Sequence, residues 1–166
     1  IAVLFYKKPV KKIPPPTVIK VRDGDTVELS DGRVVRYIGV NTPELKTNEC
    51  YSSESAQINK NLALNKQVRV ETDINTLDNF GRTLAYVYLI KDYNVPRKMV
   101  NQELLENGSG RFFLDTVNVK YQKEFVAAAN KAHQNKTGLW SACAPNKQTV
   151  CIIKGNLDMN DKRWYH

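Results

Sequence analysis

The sequence predicts an α+β fold, mainly a barrel of five β-strands with about three α-helices packed around it. Five short segments alternate apolar and polar residues between turn signals. Three longer segments repeat apolar residues at helical spacing, and the first follows the third strand segment. The length of 166 residues fits one hydrophobic core. We expect a domain at 17–142, a basic, proline-rich tail at 1–16 and an appendage at 143–166.

The first three strands are predicted at 17–22, 26–30 and 33–40. Asp-Gly-Asp at 23–25 and Asp-Gly at 31–32 are tight-turn signals between them, so we expect consecutive antiparallel pairing. Pro43 biases its predecessor toward an extended conformation, and a loop is therefore expected after the third strand.

A helix is predicted at 53–66, with Ser52 or Ser53 as its cap. Alternating β-branched and aromatic residues then predict strands at 67–72 and 83–90, joined through a polar turn that contains Gly81. Two more helices are predicted at 98–106, ended by Asn107 and Gly108, and at 118–136.

This order of five strands with a helix after the third matches the OB-fold, a small Greek-key barrel that often binds oligonucleotides. The formal net charge of +8 also favours a polyanionic partner. Half of that excess is a lysine cluster in the N-terminal tail: Lys7, Lys8, Lys11 and Lys12. Neither the fold nor the charge establishes an activity.

The N-terminal run at 1–6 is apolar but far shorter than the roughly 20 residues that span a bilayer. It fits the end of a signal sequence or membrane anchor, and it equally fits an ordinary tail or edge strand. Three cysteines leave one thiol over after any intramolecular pair, and we expect Cys143 to pair with Cys50 or Cys151. Three unpaired thiols remain the alternative. A disulfide suits a secreted or surface-held protein.

Charged side chains fall on three predicted turns and loops. Asp25 lies in the first hairpin, Glu44 in the loop after the third strand, and Arg82 before the fifth strand, while Arg36 lies on the third strand. Hydrolysis of a phosphodiester needs an activated water and neutralisation of phosphate charge, and these residue types supply both.

The order and spacing of these residues closely resemble the staphylococcal nuclease family from about Thr17 to Trp140. The motifs that carry the resemblance are Asp23-Gly24-Asp25-Thr26, then Arg36 with Asn41-Thr42-Pro43-Glu44, then Gly81-Arg82 before Leu-Ala-Tyr, and later Asn101, Leu104, Gly108 and Gly138-Leu139-Trp140. Cys50 and Cys143 stand where many exported relatives also have cysteines.

The resemblance implies a Ca²⁺-dependent nuclease that cleaves DNA and RNA, with single strands preferred. Asp25, Asn41 and the Thr42 carbonyl would bind Ca²⁺. Glu44 would be the general base, and Arg36 and Arg82 would clamp the phosphate. We expect a monomer without an obligate protein partner.

Two departures from the family pattern stand out. The family often has aspartate where this chain has Asn41, so weaker calcium binding is expected. Asn79 and Phe80 occupy the substrate-pocket positions of a lysine and a tyrosine, and Leu114 replaces a pocket tyrosine. We therefore assign Asn79 and Phe80 to substrate binding without carrying over the family's base preference.

Simpler readings remain beside this one. Asp-Gly-Asp is commonly just a turn, and the arginines could form surface salt bridges. The chain could be a catalytically silent nucleic-acid-binding domain, or a calcium-binding surface module. His133 is expected at a helix surface, outside the site. Trp140, Phe112 and Phe113 are expected in the core rather than stacked on bases.

Overall fold

A computed structural model describes residues 14–90 and 96–143 of the chain. Residues 1–13 of the predicted tail at 1–16, most of the C-terminal appendage and Cys151 lie outside these residues. No described helix has the length and apolar character that crossing a bilayer requires. The strands are β1 Val18–Val21, β2 Thr26–Leu29, β3 Val34–Tyr37, β4 Val40–Asn41, β5 Val68–Glu71, β6 Thr83–Ile90, β7 Pro96–Met99 and β8 Arg111–Phe112. The helices are α1 Ser52–Ala63, α2 Val100–Glu106, α3 Gln122–Gln134 and α4 Leu139–Ala142.

The main sheet runs in the order β1-β2-β3-β6-β5, which confirms the predicted α+β class and its five strands. β1, β2 and β3 pair antiparallel as predicted, whereas β3 and β6 pair in parallel. β7 adds a sixth strand beside β6. β4 and β8 form a separate two-stranded ribbon.

The edges of this sheet meet at one end only. Thr17 and Gln67, which precede β1 and β5, form an isolated antiparallel bridge. The Val18 N–H donates to the Lys66 carbonyl at 3.0 Å, and the Asn65 N–H donates to the Val18 carbonyl at 2.8 Å. The two edges of the sheet are thus joined by local hydrogen bonds, and the described residues contain no continuous β1–β5 ladder that would close the predicted barrel.

The predicted third strand is interrupted at Gly39, which separates β3 from β4. Gly39 has a φ of +77°, a left-handed conformation that favours glycine. A Cβ at this position would collide with the Phe125 ring of α3. The chain therefore bends where α3 packs against the barrel, and this tertiary contact has no signal in local sequence.

Buried Asn101 of α2 satisfies backbone groups around this bend. Its side-chain nitrogen donates to the carbonyls of Ile38, at 2.9 Å, and Ala85, at 3.1 Å. Its side-chain oxygen accepts from the Val87 N–H at 2.9 Å. One amide thus joins α2 to β6 and to the turn after β3.

The helices match the prediction with shifted ends. α1 begins at Ser52, but neither proposed serine cap forms, because the N-cap is Tyr51 with no side-chain cap hydrogen bond. α2 begins at Val100 because 96–99 pairs with β6 instead. α3 buries its predicted apolar face, and the short α4 is an additional helix. The buried residues of α3 are Phe125, Ala128, Ala129 and Ala132.

Candidate active site

The Asp-Gly-Asp turn brings Asp25 against the loop that follows β4. Asp25 is only 6% exposed, and its carboxylate accepts hydrogen bonds from the Thr42 N–H at 2.8 Å and the Thr42 hydroxyl at 3.0 Å. The Thr26 hydroxyl donates to the other carboxylate oxygen at 3.1 Å. At Gly24, a Cβ would lie 2.6 Å from Thr42, so glycine permits this close approach. The turn thus forms the hairpin and also holds Asp25 against the loop at Thr42.

Arg36 of β3 lies at the centre of the site. Its Nε lies 3.1 Å from Asp25 Oδ1, and its Nη2 donates to Asn41 Oδ1 at 3.2 Å. Its Nη1 donates to the carbonyls of Tyr37 and Val40, on the two sides of the β3–β4 bend. Three of the five guanidinium N–H groups thus make hydrogen bonds within the described residues, Nε faces Asp25, and one N–H remains on Nη2.

A second layer supports the turn from α1. Buried Asn59 donates from its side chain to the Asp23 carbonyl at 3.0 Å and accepts from the Tyr37 hydroxyl at 3.1 Å. Burial raises the pKa of the Tyr37 phenol. Sequence reasoning missed Asn59, because a single asparagine within a polar helical stretch carries no signal that it is buried.

Two carboxylates are crowded in the same turn. Burial and the nearby charge of Asp25 raise the pKa of the Asp23 carboxyl above its usual range. The Asp23 side chain also accepts the Asp25 N–H at 3.0 Å, which fixes the turn. Negative charge here is opposed by Arg36, and the pair would favour an additional cation.

Glu44 lies in the loop at 44–49, all of whose residues are exposed. The Glu44 N–H donates to a Glu49 carboxylate oxygen at 3.0 Å, and the Glu49 N–H donates to the Glu44 carbonyl at 3.2 Å. Within residues 14–90 and 96–143, the Glu44 carboxylate has no hydrogen-bond or ion-pair partner. It is therefore available to a water molecule or a substrate.

Arg82 immediately precedes β6 and is held by Asp78. Its Nε lies 2.6 Å from Asp78 Oδ2, and its backbone N–H donates to Asp78 Oδ1 at 2.9 Å. Burial raises the pKa of Asp78, but hydrogen bonds from the Arg82 backbone and side chain outweigh it, so the net shift is downward. In the parallel β3–β6 pair, Arg36 lies opposite Leu84. Arg82 lies just before Leu84 in the chain and is therefore near the same end of the sheet as Arg36.

A cleft of about 460 Å³ contains the outer members of the site. It is lined by Glu44 and Arg82, together with Asp23 and Thr26 from either side of Asp25. The remaining lining residues are Lys20, Val21, Arg22, Glu28, Leu45 and Lys46. Asp25, Arg36, Asn41 and Thr42 form the hydrogen-bonded cluster beside this cleft.

Asn79 and Phe80 lie in the turn before Arg82 and do not line the cleft. The Phe80 ring is 84% exposed, and its centroid lies 5.4 Å from the Arg82 guanidinium carbon. The Phe80 N–H donates to Asp78 at 2.9 Å. The assignment of these two residues to substrate binding stays a prediction.

The donor set around Asp25 fits a hard cation. Asp25, Asn41 and Thr42 offer only oxygen ligands, which suit Ca²⁺ and Mg²⁺ better than Zn²⁺. The described residues contain no cluster of three or more His, Cys, Asp or Glu side chains suited to a metal. A cation here would therefore depend on amide, hydroxyl or carbonyl oxygens beside the acidic turn.

The aromatic residues beside the helices differ in their exposure to solvent. His133 is exposed and meets Trp140 edge to face at 4.6 Å between ring centroids, away from the site as expected. Trp140 and Phe112 are partly buried. Phe113 is 44% exposed, so its expected place in the core is wrong.

The structure joins Cys50 to Cys143, with 5.9 Å between their Cα atoms. The sequence left Cys50 and Cys151 as alternative partners of Cys143, and the structure contains the bond to Cys50, which spans most of the domain. Cys50 ends the loop that begins near Glu44, and Cys143 follows α4. The crosslink therefore connects the loop that carries Glu44 to the C-terminal end of the described fold.

Comparison with known proteins places this arrangement in a family. The thermonuclease of Staphylococcus hyicus is 38% identical over 131 residues, covering 75% of this chain and 74% of that protein. The thermonuclease of Staphylococcus intermedius is 35% identical over 130 residues, covering 74% of each chain. Endonuclease YncB of Bacillus subtilis is 33% identical over 145 residues, covering 82% of this chain and 66% of that protein. A family model described as a staphylococcal nuclease homologue matches residues 34–142, and the chain therefore belongs to the staphylococcal nuclease family.

Proposed function

We propose that this protein is a Ca²⁺-dependent nuclease that hydrolyses phosphodiester bonds in DNA and RNA. The observation that carries the proposal is the junction of two groups: the Asp25–Arg36–Asn41–Thr42 cluster and the cleft that contains Glu44 and Arg82. Family relatives named thermonuclease and endonuclease support the same activity.

Glu44 has the exposure and freedom that a general base requires. Its carboxylate borders the cleft and has no partner among the described residues, so it can accept a proton from a water molecule positioned against the phosphorus. Orientation of the attacking water by this carboxylate accounts for much of its expected effect.

The two arginines approach the substrate differently. Among the described residues, Arg36 keeps one N–H on Nη2, whereas Arg82, which lines the cleft, is bound to Asp78 through Nε and has no hydrogen-bond partner at its terminal nitrogens. Together they would donate to phosphate oxygens as charge increases in the transition state. Because these hydrogen bonds are made to the phosphate and not to the sugar, both DNA and RNA are expected substrates.

Asp25, Asn41 and Thr42 would hold Ca²⁺, which supplies positive charge to polarise the phosphate when bound. Asp25 is already oriented for this role by its three protein hydrogen-bond donors and by Arg36. Asn41 contributes an uncharged oxygen, so the ligand set has one negative charge fewer than an aspartate would provide.

The activity is tested by cleavage of single-stranded DNA and of RNA in Ca²⁺ and in excess chelator. Wild type should cleave only with the metal, and Glu44→Gln should lower turnover by about 10²- to 10⁴-fold while keeping its circular dichroism spectrum. Glu54→Gln is the matched control, because Glu54 is an exposed acid of α1 outside the cleft.

Binding of single-stranded DNA without cleavage under any metal would instead identify a catalytically silent nucleic-acid-binding domain. Calcium binding without affinity for nucleic acid would favour a surface module. The ion pairs of Arg36 with Asp25 and of Arg82 with Asp78 are compatible with both alternatives, so turnover is the deciding measurement.

A further inference from the structure

The loop that carries Glu44 is shaped by its own hydrogen bonds. The Asn48 N–H donates to the Leu45 carbonyl at 3.1 Å, and Glu49 contacts Glu44 twice through backbone and side chain. Thr47 donates to the Glu44 carbonyl at 3.4 Å. Residues 44–49 are all exposed, so the core does not clamp them. The position of this loop consequently depends on how its two ends are fixed.

The first end is fixed by the site itself. Thr42 and Pro43 are buried, and Thr42 donates twice to the Asp25 carboxylate. Glu44 follows directly, so its backbone begins from a defined point. On its own, this anchor would fix only one end of the exposed segment 44–49.

The second end is fixed by a covalent bond. Cys50 is joined to Cys143, whose N–H donates to the Leu139 carbonyl at 2.9 Å. Leu139 is 1% exposed, and its own N–H donates to the Gly108 carbonyl at 2.9 Å. The disulfide therefore connects the loop to α4, which is anchored through buried Leu139, and through it to the end of α2.

The backbone around Cys50 is strained. Asn48 and Tyr51 have φ values of 50° and 70°, in the left-handed region that side chains other than glycine seldom adopt. Tyr51 also begins α1 without a side-chain cap hydrogen bond. Such conformations persist where surrounding contacts over-determine them, and the disulfide is a constraint located between these two residues.

We propose that the Cys50–Cys143 disulfide is a positioning crosslink for Glu44, which holds the far end of the 44–50 loop so that the carboxylate stays aligned with the cleft. This inference rests on the proposed catalytic role of Glu44. The cysteines do not touch the reacting atoms. They act by limiting the excursions of the loop, so breaking the bond lowers turnover in a folded protein.

The bond can be broken chemically as well as genetically. A dithiol such as dithiothreitol supplies two electrons, the sulfur–sulfur bond breaks, and Cys50 and Cys143 each become a thiol. The reagent is oxidised to its cyclic disulfide in the same exchange. Cys151→Ser is the background for every variant, because it prevents alternative pairing with the third cysteine.

The test compares this background with Cys50→Ser/Cys143→Ser, each with Glu44 and with Glu44→Gln. Turnover is measured well below the thermal unfolding transition of every variant. Loss of the crosslink should lower kcat on the order of ten-fold with KM nearly unchanged, because a misplacement of about 1 Å can cost up to about 100-fold. In the Glu44→Gln background the same loss should have no further effect on kcat.

A second variant tests the proposal if the Cys50→Ser/Cys143→Ser protein does not fold. Two glycines inserted between Glu49 and Cys50 lengthen the loop while the disulfide stays intact. This insertion should lower kcat like the loss of the crosslink, and again only when Glu44 is present. Dithiothreitol should reproduce the effect reversibly in the parent.

An unchanged kcat in the folded protein without the crosslink overturns the proposal. An equal decrease of kcat with Glu44 and with Glu44→Gln overturns it as well. In either case the disulfide only stabilises the fold. Wild-type turnover by Glu44→Gln alone would be a different failure, because it removes the proposed function of Glu44 before any cysteine is changed.

Discussion

The candidate site has an inner half and an outer half that are built in different ways. The inner half, Asp25 with Arg36, is buried: the two side chains are 8% and 14% exposed, and both have several hydrogen-bond partners. The outer half, Glu44 with Arg82, lies on loops beside a solvent cleft, and Arg82 is held mainly by one carboxylate.

This difference separates two kinds of contribution. A buried ion pair that also caps backbone carbonyls cannot be removed without leaving polar groups unsatisfied, so its roles in folding and chemistry are linked. Loop residues at the cleft contribute little to the packed core. Their chemistry can therefore be altered while the fold stays intact.

The largest effect is expected from truncating the inner arginine. Arg36→Ala leaves Asp25 buried without its ion-pair partner, and should cost about 3–5 kcal/mol of unfolding free energy and about 10²- to 10³-fold in turnover. Arg82→Ala is the matched variant, with a similar loss of turnover but a stability loss of about 1 kcal/mol or less. Urea unfolding and cleavage assays measure both, and equal stability losses would contradict the division into halves.

A smaller effect is expected from restoring charge at position 41. Asn41→Asp adds a carboxylate beside Arg36 and the proposed calcium ligands, and should tighten Ca²⁺ binding by about ten-fold, or about 1.4 kcal/mol. Isothermal titration calorimetry measures the change. Asn79→Asp is the control, since it adds the same charge on an exposed turn outside the cleft. If both variants shift the titration equally, Asn41 is not a ligand.

The smallest effect concerns the support of the outer half. The pKa of Asp78 is lowered from 3.8, so its stabilising contribution is present above that pH and is lost as pH falls toward the lowered value. Asp78→Asn should cost about 0.5–1 kcal/mol at pH 7, and this cost should shrink below about pH 4. Urea denaturation at several pH values measures it. A cost that is constant from pH 7 to pH 3 would show that charge is not involved.

The strand bodies and the chemistry-bearing residues could be predicted because their signals are local. Alternation identified five of the six strands of the main sheet, all but β7, and turn residues identified the loops that carry Asp25, Glu44 and Arg82. The parallel pairing of β3 with β6 had no such signal, because it depends on how distant segments pack together.

Tertiary contacts also explain the remaining differences. The predicted third strand is split because Phe125 packs on Gly39, which only the folded chain brings together. Asn59 supports the Asp25 turn from a helix whose buried face contains serine and asparagine, so apolar periodicity could not identify it. Both arginines form the salt bridges that the simpler interpretation offered, Arg36 with Asp25 and Arg82 with Asp78. These ion pairs are compatible with a catalytic role and with a purely structural one.

The parallel β3–β6 pair has a consequence for how the protein acquires activity. β3 and β6 are separated along the chain by β4, α1 and β5, so their pairing closes a long loop and is expected late among the contacts of the sheet. Arg36 and Arg82 come to the same end of the sheet only through this pairing. Recovery of turnover during refolding should therefore report completion of the whole sheet, whereas formation of the β1–β2–β3 meander alone should restore no turnover.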